Sequence, residues 1–598
     1  MLICSLAADI DGDYIHGSGD LPSVNASLHI PESDIRHSDF KGQVLNLAVD
    51  MGAATMDGGK IDVSIDRAKA KATGLDLDIK GNASDILGDD PLIKIDGRLD
   101  AHLDSLVQFL PDTLGIEAGG KLAAHIDGKA LLSQLNMYNF SRSSLQGNVS
   151  GKDIIVKMPK DTIDIVIDSL SLNLGPETIK SRRNPSKTFR LIGATGNITK
   201  ADINFKDAMA IEAEKFAISA KNSVDMDNDA DTTKKILPFG GRISAYKLMV
   251  KDASGSSVRL DETSNGFQLL PKKGQPKVPM LTLTSKNKRI FLVSDVNRAI
   301  LTDASINARA AMNTVERRQK AKAFMDSLAR TYPEVPRDSL FTFLRAKRAT
   351  QPIPEWLKEE DFRKQDINLQ LDETLAKYFR EWDINGGLDI RTGIVMTPYF
   401  PLRNILRGFE ASFNNNTISI DSLKVRSGQS EIGAKGSLTG LKRALLGRRG
   451  ALKLDLDVTS SGMNANELLR AYSTGSNFNP ETLKGSAGEV SNSEFLQQVT
   501  VQDTTELEDA PSLIVVPGNI VADLRINAGN ITYSDLQIDT LMAKATMKER
   551  CVQIIDTKAE SNMGAIGFEG FYATRTKEDL KTGFSLNFKD ITAEKVIA

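Results

Sequence analysis

The stretch NNTISIDSLKVRSGQSEIGAKGSLTGL, Asn415–Leu441, decides the fold class that this sequence predicts. Ile418 and Ile420 alternate with polar residues, which indicates a β-strand with one apolar face. The Asp-Ser pair at 421–422 shifts that alternation by one residue, which predicts a bulge or bend in the strand. A Ser-Gly-Gln turn at 427–429 and a second alternating run complete the pattern of a β-hairpin.

The same unit recurs along the chain. The motif Ile-Gly-x-x-Gly occupies 432–436 and again 566–570, and in both copies a serine lies five residues before the isoleucine. A shorter tag, Ile-Asp-Ser/Thr-Leu, occurs at 167–170, 420–423 and 538–541. This repetition predicts a mainly β protein: a long, curled antiparallel sheet that forms a groove, with a helical insertion around 305–382.

Composition excludes several function classes. The chain has 598 residues with 45 glycines and only 6% aromatic residues, which suits thin β layers with many turns. Its net charge of −3 offers no sequence-wide basic field, so we expect no nucleic-acid partner. Cys4 and Cys551 are too few for a disulfide framework or a cysteine metal cluster.

Four regions follow from the hydrophobic pattern. Turn signals, such as those around Gly81 and Gly97, separate short runs in which apolar and polar residues alternate. A helical pattern at Leu99–Leu110 interrupts these runs. Loops are expected at Gly175–Lys187 and Asn222–Lys235. The predicted regions are an N-terminal β-repeat region at 1–150, a β-repeat region with loops at 151–304, a helical insertion at 305–383 and a C-terminal β-repeat region at 384–598.

The helical insertion carries a basic cluster. Apolar residues at i, i+3, i+4 and i+7 from Ala321 to Leu328 indicate an amphipathic helix. Two interpretations stay open: a solvated helix face, or contact with anionic headgroups or an acidic partner. The cluster comprises Arg317, Arg318, Lys320, Lys322, Arg345, Lys347 and Arg348.

No motif for catalysis, cofactor binding or metal binding is complete. Gly115–Lys121 matches the spacing of a phosphate loop, but Leu122 replaces the required Ser or Thr. The acidic run at 225–231 lacks the glycine and glutamate of a calcium loop. The five histidines lie within the first 125 residues, none paired at i+3 or i+4. We therefore expect no enzyme, no cofactor and no metal site.

A sheet with strict alternation must cover its apolar face with a second sheet, with helices or with a ligand. Because few helices are predicted for so many strands, an open trough that holds acyl chains is one solution, and a closed β-sandwich is another. Each buried CH2 group of an acyl chain contributes about 0.8 kcal/mol and needs no polar partner. The candidate groove residues are Ile165, Ile167, Leu170, Leu172, Ile418, Ile420, Leu454 and Leu456.

The unit at 417–438 resembles the repeated element of the AsmA-like family, which includes TamB-type envelope proteins. Two further segments look like parts of that family: LDLDVTSSGMNANELL at 454–469 and GNITYSDLQID at 529–539. The resemblance is clearest over 384–598 and weaker over 1–300, and the helical insertion has no counterpart in it.

The resemblance implies a Gram-negative, periplasmic protein anchored to the inner membrane and active in lipid transport and outer-membrane biogenesis. Its implied partners are phospholipid, the inner membrane and outer-membrane assembly proteins. We expect the chain to be part of a longer protein whose anchor lies outside it. The alternative that the residues leave open is a structural β-sandwich scaffold or surface adhesin that transports no lipid.

Overall fold

The structure, a computed structural model, is mainly β, with a single sheet of 25 strands that is mostly antiparallel and not closed. The predicted mainly β fold with a long antiparallel sheet is thereby confirmed. The structure describes residues 7–13, 23–36, 41–56, 59–110, 112–135, 143–180, 186, 188–205, 208–225, 239–294, 296–349, 358, 362, 366, 369–371, 373–447, 451–476, 478, 515–577 and 579–590.

The chain divides into two units, Met1–Lys288 and Arg289–Ala598. A strand at Gln275–Ser294, β14, contains the boundary between them. The strands of the first unit are β1 Ala7–Asp13, β2 Ser23–Ile35, β3 Leu45–Met56, β4 Lys60–Ala72, β5 Leu75–Ser84, β6 Leu92–His102, β7 Glu117–Leu131, β8 Gln146–Met158, β9 Ile163–Lys180, β10 Thr188–Phe205, β11 Met209–Asp225, β12 Phe239–Asp252 and β13 Ser257–Lys272.

The second unit has the same design with more helical connections. Its strands are β15 Asn297–Met312, β16 Trp382–Met396, β17 Asn404–Asn414, β18 Thr417–Ser427, β19 Ser430–Thr439, β20 Leu452–Asn464, β21 Ile520–Tyr533, β22 Leu536–Lys548, β23 Cys551–Ser561, β24 Gly564–Thr574 and β25 Leu580–Lys589. The helices of the chain are α1 Leu103–Leu106 in the first unit, and α2 Thr314–Thr331, α3 Leu340–Ala349, α4 Glu373–Glu381, α5 Leu441–Leu445 and α6 Ala465–Ser476 in the second.

Successive strands pair with each other. In the first unit the antiparallel ladders run without interruption from β1 to β13. In the second unit they run from β15 to β25, with one parallel pairing between β20 and β21. This meander gives each strand its chain neighbours as partners, so local sequence patterns determine most of the sheet.

The hairpin at 415–441 has the predicted form. Strands β18 and β19 are joined by the two residues Gly428 and Gln429, with Ser427 opposite Ser430. The ladder shifts register between Ile420 and Leu423, which confirms the bulge expected from the parity change. Because of the shift, Ile420 and Leu423 lie on the same face of the sheet although they are three positions apart.

The repeats occupy equivalent structural positions. Ile432 is the third residue of β19, and Ile566 is the third residue of β24, each just after a two-residue turn. The Ile-Asp-Ser/Thr-Leu tag at 538–541 also coincides with a register shift, between Ile538 and Thr540. Two of the three copies of the tag therefore coincide with a register shift, whereas Ile167 and Leu170 pair with β8 and β10 without one.

Several local predictions were wrong. Gly81 and Gly97 lie inside β5 and β6, not in turns. The helical pattern at Leu99–Leu110 yields only α1 and a short 3-10 turn, because β6 continues to His102. Strand β9 continues through Gly175 to Lys180 and β11 through Asp225, into both predicted loops, while 226–238 lie outside the described residues.

The helical insertion is a long connection between two paired strands. Strand β15 extends to Met312, so residues 305–312 are strand, and Met312 lies opposite Trp382 at the start of β16. Asn313 Nδ2 donates a 2.7 Å hydrogen bond to Asp383 Oδ1, which ties the two ends of the insertion together. Among the described residues, no helix has the length and apolar character needed to cross a membrane.

The core is thin, and small side chains dominate it. Alanines such as Ala48, Ala101, Ala304 and Ala471 are at most 2% exposed, whereas most large aliphatic residues on the sheet remain half-exposed. Small side chains at these positions allow the backbones around them to approach closely.

The repeat glycine Gly436 shows this close approach most directly. Its φ is +140°, and a Cβ added there would lie 2.0 Å from the carbonyl oxygen of Asp455 on β20. We expect Gly436→Ala to lower the free energy of unfolding by more than about 2 kcal/mol, because neither backbone can yield. Urea denaturation followed by circular dichroism measures the change. Gly462→Ala is the control, since nothing lies within 4 Å of its added Cβ, and an equal loss in both variants would contradict this explanation.

Candidate functional site

Apolar side chains of the first unit form two rows that cross the strands at right angles. They arise because the antiparallel register places every second residue of neighbouring strands opposite one another. The first row consists of Leu77, Leu99, Ala124, Val149, Leu172, Gly196 and Ile218. The second row consists of Ile79, Gly97, Ile126, Gly147, Leu174, Ala194 and Ala220.

These two rows line a cavity of about 550 Å³, which we call the apolar groove. Its volume lies within the usual range for small-molecule sites. Ile126 and Leu172 are each 41% exposed, and the other large residues of the rows are half-buried, so this face is accessible to a ligand. An accessible strip of aliphatic side chains can bind hydrocarbon and offers little to a polar substrate.

Large residues alternate with glycine or alanine along the second row. Gly97 lies between Ile79 and Ile126, and an added Cβ would contact both, at 3.6 and 3.4 Å. At Gly196 in the first row, an added Cβ would lie 2.7 Å from Leu172 Cδ2 and 2.9 Å from Ile218 Cγ2. Gly196 therefore leaves room for the branched side chains of neighbouring strands, whereas a Cβ at Gly97 would make ordinary contacts. Sequence reasoning missed this role because it took mid-strand glycines as turn signals.

The residues between the rows are polar, and the alternation of the strands directs their side chains to the other face of the sheet, although Arg98 and His125 also border the cavity. Asp78, Arg98 and His125 are successive partners across β5, β6 and β7. His125 Nε2 lies 3.3 Å from Asp96 Oδ1, and His29 contacts Asp50; both pairs join neighbouring strands on the exposed surface. The described part of the chain contains no group of three or more His, Cys, Asp or Glu placed to hold a metal ion.

The structure places the candidate residues of β9 in different positions. Leu172 lines the apolar groove, and Leu170 lies two residues further along the same strand, opposite Gly151 and Ile198. Ile167 is the first residue of the tag at 167–170 and Ile165 precedes it, and neither residue lines the groove. Ile167 instead faces Ile154 and Ala201, which are nearly buried.

The four candidates of the second unit come together on one face. Ile418 and Leu454 belong to one row, whereas Ile420 and Leu456 belong to the adjacent row. All four are half-buried. The first row continues through Ala522 and Met547, and the second through Leu524 and Ala545. The apolar strip therefore extends over five strands, from β18 to β22.

The opposite face of these strands is charged. Arg525 Nη2 donates a 2.7 Å hydrogen bond to Asp455 Oδ1, and Arg525 Nε donates one to Asp457. The hydrogen bond from Arg525 lowers the pKa of Asp457 below its ordinary value. Asp457 therefore stays ionised at neutral pH, which keeps this face in water and leaves the apolar strip as the surface available to a hydrocarbon ligand.

Comparison with known proteins adds no relative: no family model, no curated protein and no solved structure matches the chain.

Proposed function

We propose that this chain is a lipid-transfer protein that carries phospholipid acyl chains in its apolar groove. The observation that supports this proposal is the pair of crosswise rows, whose aliphatic side chains are accessible on one face while charged residues occupy the other. An acyl chain laid along the rows would bury its CH2 groups at about 0.8 kcal/mol each, and it needs no polar group to match.

The resemblance of the unit at 417–438 to the AsmA-like family supports a cellular location for this activity. We place the protein in the periplasm of a Gram-negative cell, held at the inner membrane by an anchor outside this chain and contributing to outer-membrane biogenesis. We propose outer-membrane assembly proteins as partners of this protein. Fractionation of the full-length protein tests it, because recovery in the cytosolic fraction would contradict it.

Mass spectrometry of lipids extracted from the purified chain tests the groove directly. We expect phospholipid to co-purify, and a photoreactive amino acid at Val149 to crosslink to it. The same amino acid at the neighbouring Ser150, whose side chain belongs to the polar face, should give little crosslink. Lipid-free protein with no crosslink at Val149 would instead favour the structural scaffold.

A further inference from the structure

The connection between β15 and β16 carries a helical hairpin, formed by α2, a turn and α3, that is much more basic than the rest of the chain. Residues 314–349 contain nine basic and four acidic residues, a formal charge of +5, whereas the whole chain carries −3. None of the residues of α2 is buried. The hairpin therefore concentrates positive charge on a water-exposed structure.

Five basic side chains of α2 and two of α3 are exposed. Two charges of the hairpin have partners within it: Arg337 forms an ion pair with Asp326, and Lys347, which is itself exposed, has its Nζ 4.8 Å from the centre of the Tyr332 ring. The exposed set comprises Arg317, Arg318, Lys320, Lys322, Arg330, Arg345 and Lys347.

Two phenylalanines project from the same hairpin. Phe324 on α2 is 48% exposed and Phe341 on α3 is 59% exposed, and their ring centres lie 6.4 Å apart. Lys320 precedes Phe324 by four residues, and Arg345 follows Phe341 by four. Residues four apart share a helix face, so each exposed ring has a cation beside it.

We propose that this hairpin docks the protein on an anionic lipid surface. Aromatic rings are favoured at the boundary between headgroups and acyl chains, and neighbouring lysine and arginine side chains are attracted to anionic headgroups. An acidic protein would match the charges, but it would give no reason for two aromatic rings to remain exposed between them. This inference is independent of lipid carriage in the apolar groove, because none of the hairpin residues lines that groove.

Vesicle flotation of the full chain tests the proposal. The probes are vesicles of phosphatidylglycerol and phosphatidylcholine mixed three to seven, compared with pure phosphatidylcholine. We expect binding at least ~10-fold tighter to the anionic vesicles, and its loss in about 1 M salt, where the Debye length falls to about 3 Å. Equal binding to both compositions would overturn the proposal.

Two double variants separate charge from insertion. Lys320→Glu with Arg345→Glu should weaken binding at least ~10-fold, because it reverses two charges beside the rings. Phe324→Ser with Phe341→Ser should weaken it roughly 5-fold or more at unchanged charge, because it removes the apolar anchors. All four side chains are exposed, so both variants should melt at the wild-type temperature.

Matched controls complete the experiment. Lys424→Glu with Lys453→Glu makes the same charge change on exposed residues of β18 and β20, and Leu469→Ser removes an apolar residue of α6 that is 54% exposed. Neither should alter vesicle binding. If the charge variant loses binding while the phenylalanine variant keeps it, the rings do not enter the lipid, the reason for preferring a lipid surface over an acidic protein is lost, and the proposal is wrong. Lipid that co-purifies with the hairpin variants shows separately whether the groove still carries its ligand.

Discussion

Replacing Ile126 and Leu172 with aspartate is expected to strip most acyl lipid from the purified chain. Both residues line the apolar groove and each is 41% exposed, so the carboxylates can reach water in the empty protein. If the two charges keep about four CH2 groups of a ligand out of contact, the loss is about 3 kcal/mol, or roughly a hundredfold in affinity. The lipid-to-protein ratio measured by mass spectrometry gives the result.

The control for this experiment changes the same charge on the other face. Ser150 follows the groove residue Val149 and Ser219 follows Ile218, and neither serine lines the groove. Ser150→Asp with Ser219→Asp should leave the lipid content unchanged. Equal lipid loss in both double variants, or no loss in either, would show that the groove is not where lipid is held.

A parallel experiment applies to the second unit. Ile420→Asp with Leu454→Asp places charges in two adjacent rows and should lower the lipid content without unfolding the chain, since both residues are half-buried. A variant that retains its lipid would confine carriage to the first unit.

The largest stability effect is expected at Arg550. Its side chain is 0% exposed; Nη1 donates a 3.0 Å hydrogen bond to the carbonyl oxygen of Val516, and Nη2 lies 3.1 Å from Asp366 Oδ1. The guanidinium also lies 5.9 Å from the centre of the Phe362 ring. Asp366 in turn accepts a 2.8 Å hydrogen bond from the backbone N–H of Gly518. One arginine therefore joins the insertion, the segment before β21 and the turn between β22 and β23.

We expect Arg550→Ala to lower the free energy of unfolding by about 3–5 kcal/mol. The variant would leave Asp366 charged and partly buried without its partner, which is the usual reason for a cost of this size. Chemical denaturation measures the loss. Arg525→Ala is the contrast, because that arginine also binds two groups but lies on the exposed face, where ion pairs contribute little. Similar losses in the two variants would show that burial does not control the effect.

The turn that contains Arg550 has an unusual backbone. Glu549 and Arg550 both have positive φ, +52° and +58°, in a two-residue connection where Asn and Gly are preferred. The buried ion pair holds this conformation against its local preference. No sequence rule indicates it, because the two residues resemble an ordinary charged turn and the partner Asp366 is far away in the chain.

The alternation of apolar and polar residues was sufficient to predict the strands and their apolar face in most of the sheet. The kink at 420–423 also followed from the sequence, since two apolar residues three positions apart cannot share a face of a regular strand. The groove residues were harder to predict. Which side chains meet depends on the register between strands, and the alternation within one strand cannot supply it.

Two features could not be predicted from the residue pattern within a single strand, each for its own physical reason. Gly196 is required by the bulk of Leu172 and Ile218 on other strands, so its sequence neighbours carry no signal of its role. The parallel pairing of β20 with β21 joins residues that are nearly seventy positions apart, such as Leu454 and Ala522, and no turn residue marks such a contact.

The crosswise rows have a consequence for motion. Because neighbouring strands are about 4.8 Å apart and each contributes a similar aliphatic side chain or glycine, a hydrocarbon chain that slides by one strand exchanges its contacts for nearly equivalent ones. The free-energy profile along the rows would then be shallow even where the total binding is strong. A ligand on such a surface is retained without a fixed resting place, so it can diffuse in one dimension with no step that consumes energy.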